Sequence, residues 1–194
     1  MKNLSDHVFV RGEHVCPWWL CFTFDNLLRR FFQNPEETVK PYVREGDTVL
    51  DVGPGMGYFS IPLAKLVGAK GRVFAADVQS GMLRALQKRA RRAGVEQRIT
   101  LHLCQGDSIG LDTKFDFILA FWMAHEVPGQ ESFFKEIRSL LTPAGRFLLS
   151  EPLIHVTRAK YDQTVETAIR AGFTLEESPK IFLSRSALFA GRGP

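Results

Sequence analysis

The stretch VLDVGPGMGYFS, residues 49–60, decides the fold. Its first part, VLDV, is an apolar run broken only by Asp51, the pattern of a strand buried on both faces. The run leads straight into Gly53-Pro54-Gly55-Met56-Gly57. Glycines at alternate positions let the backbone turn tightly and let a ligand approach the peptide groups closely. A tight turn without any ligand would use the same residues, so the loop alone names no function. Beyond it, GYFSIPLAKLVG (57–68) has helical spacing and a terminating Gly68. Strand, glycine turn and helix in that order open a parallel α/β sheet.

The rest of the chain repeats the alternation. GRVFAADV (71–78) reads as a second strand, and SGMLRALQKRARRAG (80–94) as a helix with Ser80 as N-cap and Gly94 as stop. RITLHLCQGD (98–107) and KFDFILAFWM (114–123) read as strands three and four. QESFFKEIRSLLTPAG (130–145) is a helix stopped by Pro143, and GRFLLSEP (145–152) is strand five. RAKYDQTVETAIRAGF (158–173) is a helix ending at Gly172, and residues 174–191 supply two last strands. The expected class is α/β: a doubly wound, mostly parallel, seven-stranded Rossmann-like sheet with helices on both faces. In such sheets ligands sit at the carboxyl ends of the strands, so function is sought in the residues that follow each strand.

Two familiar nucleotide signatures fail on spacing. A dinucleotide fingerprint needs its third glycine where this chain has Tyr58, and a phosphate-binding P-loop needs a lysine that does not come until Lys65. What remains at the strand ends is acidic: Asp51 before the glycines, Asp77 after strand two, and Gly106-Asp107-Ser108 after strand three. A carboxylate offers paired acceptor oxygens to the two hydroxyls of a ribose. Acids without phosphate-binding lysines suit a ribose-bearing cation, a sulfonium nucleoside, better than a pyrophosphate.

Composition sets the outer limits. The 194 residues carry 25 Lys+Arg against 21 Asp+Glu, a formal charge of +4, with 45% hydrophobic residues, which excludes a disordered polymer or a fibre. The longest apolar run, VCPWWLCFTF (15–24), falls short of the roughly 18 residues of a membrane span. The N-terminus lacks the apolar block of a secretory signal. Three cysteines, an odd number, argue for free thiols in a reducing compartment, and the cytoplasm is the expected location. Composition shifts at Pro35. Residues 1–34 hold Phe9, Trp18, Trp19, Phe22, Phe24, Phe31 and Phe32, and are expected to form an aromatic cap over a domain spanning 35–194. His14, Cys16 and Cys21 match a zinc site only loosely, so no metal is expected and both cysteines read as small buried hydrophobes. The basic run Arg84, Lys88, Arg89, Arg91, Arg92 and Arg98 shares its helix with a buried stripe and has no interleaved aromatics. It reads as a solvated helix face, not a nucleic-acid site.

With these residues in view, the chain resembles the class I S-adenosylmethionine-dependent methyltransferases. VLDVGPGMGYFS looks like their first motif, and AADV, CQGDS and FDFILAFWMAHEVP…FFKEIRSLLTPAGRFLLSEP are similar to the later ones in order and spacing. The His-Glu after strand four and LLTPAGRFLLSEP look most like the branch of ubiquinone/menaquinone-biosynthesis and related small-molecule methyltransferases. Pro54 departs from the small residue usual between the first two glycines, and little is inserted between strands five and six, where many relatives build an acceptor lid. The resemblance covers roughly 36–194. It implies S-adenosylmethionine as cofactor, with Asp51 organising the loop and Gly53, Gly55 and Gly57 facing the methionine part. It further implies Asp77 on the ribose, Val78 and Met82 against the adenine, Gly106, Asp107 and Ser108 at the adenine edge, and Phe121 and Trp122 walling the cofactor near its methyl group.

Methyl transfer from a sulfonium needs positioning and, for a hydroxyl or carbon acid, removal of a proton. His125 after strand four and His155 after strand five, with Glu151 preceding it, are the candidate bases. The expected activity is methyl transfer to a small, partly apolar acceptor. The alternatives are an RNA or protein methyltransferase, and a cofactor-binding partner subunit without catalysis; the oligomeric state stays open.

Overall fold

The computed structural model of the chain describes residues 33–105 and 108–191. Seven strands form one sheet: β1 (Thr48–Val52), β2 (Arg72–Asp77), β3 (Ile99–Leu103), β4 (Phe115–Phe121), β5 (Leu141–Pro152), β6 (Thr174–Glu177) and β7 (Ser184–Ala190). Among the described residues five α-helices accompany them: α1 (Pro35–Val39), α2 (Ser60–Leu66), α3 (Ser80–Arg92), α4 (Gln130–Leu140) and α5 (Arg158–Arg170). The strand order is β3-β2-β1-β4-β5-β7-β6. β1 to β5 run parallel, and β7 is antiparallel to both β5 and β6. The chain therefore winds outward from β1 to β3 and then returns to lay β4 on the other side of β1. That reversal opens a crevice at the carboxyl ends of β1 and β4.

Period-two alternation along the strands sends side chains to two separate cores. Val49, Val73, Ala75, Phe117 and Leu119 pack with Leu63 and Val67 after β1 and with Leu86 and Ala90 of α3. Leu50, Val52, Ile118, Ala120, Phe147 and Phe189 pack on the opposite face with Phe133, Phe134 and Ile137 of α4 and Ala168 of α5. The central strands read as apolar in both phases because both of their faces are covered.

Three element ends differ from the sequence expectation, each for a backbone reason. The helix expected over 57–68 starts only at Ser60, because Gly57 sits at φ 89°, outside the helical region, in a turn whose N–H bonds to the Pro54 carbonyl. Ser80 is not the N-cap of α3: Gln79 holds that position in extended geometry, and Ser80 lies in the first turn accepting a bond from Arg84. α4 stops at Leu140, well before Pro143, which is absorbed into β5. Proline disfavours helical geometry in the residue before it. Next to it, a Cβ on Gly145 would lie 2.7 Å from the Phe115 carbonyl, so β5 must press against β4 here.

Phe147 is fully buried at the centre of an aromatic cluster, with ring centroids 5.4 Å from Phe173, 5.9 Å from Phe189 and 6.1 Å from Phe134. Phe147→Ala removes the common member and should cost about 3–5 kcal/mol in a urea titration. A loss below about 1 kcal/mol would mean that the cluster collapses around the cavity.

Candidate active site

β1 ends in the glycine loop, and the backbone shows what each glycine is for. Gly53, Gly55 and Gly57 all have positive φ, at 67°, 53° and 89°. A Cβ on Gly53 would meet Met123 at 2.9 Å, and one on Gly57 would meet Leu86 of α3 at 2.9 Å. A Cβ on Gly55 would meet nothing within 4 Å. At their Cβ positions Gly53 and Gly57 thus make room for protein, while Gly55 borders open space. The loop is tied to the next strand by the Gly53 N–H on the Ala76 carbonyl at 2.9 Å, which brings it beside Asp77.

Two buried acids flank the loop. Asp51, on the α2 face of β1, accepts the Ser60 hydroxyl at 2.6 Å. Burial pushes its carboxyl up to about 7, against the Ser60 bond and with help from the charge of Asp77. Asp77 at the end of β2 is pushed up by burial to about 6, opposed by bonds from the backbone N–H groups of Gln79, Gly55 and Val78. Its Oδ1 lies 2.8 Å from the Gln79 nitrogen. One carboxyl thus bridges the glycine loop and the start of α3. Beside it Val78 is 54% exposed and Met82 is buried in the first turn of α3.

The third strand end is held from outside. Ser108 does not present its hydroxyl to the crevice, because it donates to Glu136 of α4 at 2.8 Å. Gly106 and Asp107 lie outside the described residues, as do His14, Cys16, Cys21 and the rest of residues 1–32.

At β4, Phe121 is buried on the α2 face with its ring 4.3 Å from that of Phe59, so it backs the site rather than walling it. Trp122 has a left-handed backbone at φ 59°, uncommon for a large residue. Its N–H reaches the Ser150 carbonyl at 2.7 Å, and its indole N–H donates to the Ser184 hydroxyl at 2.9 Å. That turn aims Met123 at Gly53, a contact no sequence motif marks. His125 follows in a single 3-10 turn, Ala124–Glu126, and its Nδ1 lies 2.6 Å from Oε2 of Glu151 at the end of β5. Glu151 is 1% exposed, and its Oε1 is buried with no hydrogen-bond partner. Burial disfavours the charged imidazole, but the bond to Glu151 and the charges of Glu151 and Glu126 outweigh it, and His125 is held above its ordinary 6.5. His155 lies on the exposed segment after β5. Among the described residues no cluster of His, Cys, Asp and Glu is arranged to hold a metal ion, and no helix is long and apolar enough to cross a membrane.

A glycine loop open at Gly55, an acid spanning loop and helix, and a histidine–carboxylate pair thus stand at the carboxyl ends of neighbouring strands. Residues 44–182 match the family model described as a methyltransferase domain. The chain belongs to that family. It is a class I S-adenosylmethionine-dependent methyltransferase domain. It is 30% identical over 124 residues to the ubiquinone/menaquinone biosynthesis C-methyltransferase UbiE of Klebsiella pneumoniae, covering 62% of this chain and 49% of that protein. The corresponding Escherichia coli O1:K1 protein is 29% identical over the same length. The chain thus spans about half the length of the curated relatives it matches. A methyltransferase from Aquifex aeolicus shares the fold with a TM-score of 0.80 at 22% identity, over 90% of this chain and 98% of that one.

The residues fit S-adenosylmethionine, which when bound supplies an electrophilic methyl group on a sulfonium. Gly55 would leave space for the methionine portion, Asp77 would offer a ribose its acceptor oxygens, and the acids would suit a cation. The folded protein holds protons on Asp51 and Asp77 that the unfolded chain has already lost above pH 4, so without ligand its stability falls as pH rises from about 4 to 7. A cation favours the ionised carboxylates. Binding should therefore release protons and tighten from pH 5.5 to pH 8, read by calorimetry in buffers of different ionisation enthalpy. Asp77→Ala should lose about 1.5–3 kcal/mol per charge-assisted bond to the ribose and flatten the part of the profile near pH 6. Unchanged affinity in that variant sinks the ribose assignment.

Proposed function

We propose that the chain methylates a small, partly apolar acceptor, with His125 as the general base and Glu151 holding it. The observation that carries this is the His125–Glu151 pair beside an apolar rim. A neutral imidazole that donates Nδ1–H to a buried carboxylate has its Nε2 lone pair left to take a proton. Leu153 and Ile154 follow β5, Phe182 and Leu183 precede β7, and all four are exposed; the two segments are joined by the Leu153 N–H on the Leu183 carbonyl at 3.0 Å. An acceptor with a polar reacting end and a hydrocarbon body suits that combination, and the relatives' naming for ubiquinone and menaquinone biosynthesis points the same way. His125 rather than His155 is the base in this reading, because of its bond to the buried Glu151.

The basic helix gives little support to the RNA alternative. Arg89 donates to the Met56 carbonyl, Arg98 to the Ala64 carbonyl, and Arg91 makes two bonds of 3.0 Å to Glu96. These arginines serve their own fold. The odd cysteine number still favours a reducing compartment, and the cytoplasm is the proposed location.

Residues 1–34 are proposed to cover the rim. Gln33, where the described chain begins, is buried: its amide donates to the Phe182 carbonyl at 3.3 Å, and its own carbonyl accepts the Tyr58 hydroxyl from the glycine loop. Gln33 therefore lies between the glycine loop and the apolar rim. Large aromatics are costly to leave in water.

Transfer of a labelled methyl group to hydroxylated aromatic acceptors with and without hydrocarbon tails tests the reading. His125→Ala should lower kcat/KM by about 10²–10⁴-fold while cofactor affinity holds. Wild-type kcat/KM should rise with pH through a value above 6.5, and Glu151→Gln should move that value down, since the carboxylate's charge is gone. Methylation of tRNA or protein but of no small acceptor overturns the proposal.

Deleting residues 1–24 should leave a folded protein that loses acceptor binding and turnover far more than cofactor affinity. Full activity after truncation refutes the cap.

A further inference from the structure

We propose that β3, an uncharged edge strand of the sheet, is the interface of a homodimer: two copies pair antiparallel about a two-fold axis at Leu101 and continue the sheet from one chain into the next. This goes beyond the acceptor reading and does not depend on it.

Among the described residues β3 stands at one end of the strand order, with β2 on one side and no strand on the other. The Cys104 N–H bonds inward to the Asp77 carbonyl at 2.9 Å. Bonding directions alternate along a strand, so the N–H and C=O groups of Leu103, Leu101 and Ile99 point outward, away from β2. The Ile99 N–H is spent on the Glu96 carbonyl. The Leu101 and Leu103 groups and the Ile99 carbonyl remain as a row of outward donors and acceptors. Such a row recruits another strand unless the edge is blunted by charge, proline or a bulge.

The two edges of this sheet differ in that respect. β6, at the far end, carries Glu176 and Glu177 and breaks register against β7 between Leu175 and Glu177. β3 reads Ile-Thr-Leu-His-Leu, in unbroken register with β2 and without an acid, lysine, arginine, proline or glycine. Leu103 is 47% exposed. Beside the strand an open groove of about 220 Å³ runs along α3, lined by Leu86, Ala90, Ile99 and Leu101. The chain that leaves β3 returns on the opposite face: Ile109 is buried in the α4 core, and its carbonyl lies 2.6 Å from a ring nitrogen of His102.

The pattern of the strand names the occupant. Turned antiparallel on itself about Leu101, it sets Leu101 against Leu101, Leu103 against Ile99 and Thr100 against His102. The Leu101 groups of the two copies then exchange bonds, and the Leu103 N–H of each reaches the Ile99 carbonyl of the other. Ile99, Leu101 and Leu103 share the α3 face by strand alternation, so the Leu103 of one copy meets the groove of the other beside Ile99. Charge agrees with this. Glu96, the charged residue lining the groove, is neutralised by two bonds of 3.0 Å from Arg91. A charged strand would find no free countercharge there, which excludes β6 with its two glutamates as the occupant. Because the paired strands are antiparallel, the crevices of the two copies open in opposite directions.

Sedimentation velocity on the full chain, from about 1 to 300 µM, tests the proposal. Wild type should move with concentration from 21.9 kDa toward twice that mass. Raising the salt from about 0.1 to 1 M should not reverse this, because the contact carries no ion pair across it. Leu101→Lys and Leu101→Glu each set like charges opposite one another and should each keep the mass of one chain. An equimolar mixture of the two should dimerise, a rescue specific to an axis at Leu101. Leu103→Pro removes an N–H that points away from β2, so it should keep the wild-type melting curve and weaken dimerisation by about tenfold or more. Hydrogen exchange on wild type needs no variant: the Leu101 and Leu103 amides should slow as concentration rises, while those of β6 do not. A wild type that keeps the mass of one chain at the highest concentration overturns the proposal. So does a dimer undiminished in folded Leu103→Pro, a mixture of folded Leu101 variants that stays monomeric, or exchange at Leu101 and Leu103 that ignores concentration.

Discussion

The left-handed backbone of the loop after β1, with positive φ at Gly53, Gly55 and Gly57, is the constraint on which the rest of the site depends. A side chain at any of these positions would strain the turn, and at Gly53 or Gly57 it would also strike Met123 or Leu86. The turn ends the strand abruptly and starts α2 with Ser60 under Asp51. Because the Gly53 N–H is spent on the Ala76 carbonyl, the loop cannot drift from β2, and Asp77 is kept within reach of the Gly55 backbone.

From that fixed point the cleft is organised by strand order. β1 carries the glycine loop, β2 ends at Asp77, and β4 and β5 bring the His125–Glu151 pair to the other side of the switch. In the proposed reading, binding and proton transfer occupy opposite sides of one reversal in the sheet. The strained Trp122 backbone sits at this reversal, and its bonds to Ser150 and Ser184 tie the end of β4 to β5 and β7. Strain of this kind survives only where neighbouring bonds fix the turn from both sides.

The site carries its electrostatics at a cost to the fold. Asp51, Asp77 and Glu151 are buried acids in a protein of positive net charge, and two of them hold protons far above the ordinary carboxylate range. Burying a charge without a partner is expensive. In the proposed reading a bound cation offsets what the fold loses there.

The sequence by itself determined the strand–helix alternation, the two covered faces, the glycine turn and the acids Asp51 and Asp77, since all of these follow from local periodicity and from residue types with few alternative uses. It also marked His125 and Glu151, but not their pairing. Only the tertiary structure decided that Glu151 bonds to His125, that Met123 fills the space against Gly53, and that Phe121 packs on Phe59. It alone showed Glu136 bound to the loop after β3, where Ser108 had been expected to meet the base. These contacts join residues 26 to 70 positions apart in the chain through parallel crossovers. No local pattern encodes such a distance: a side chain's direction at a strand end depends on the register of strands that the chain reaches only after passing through a helix.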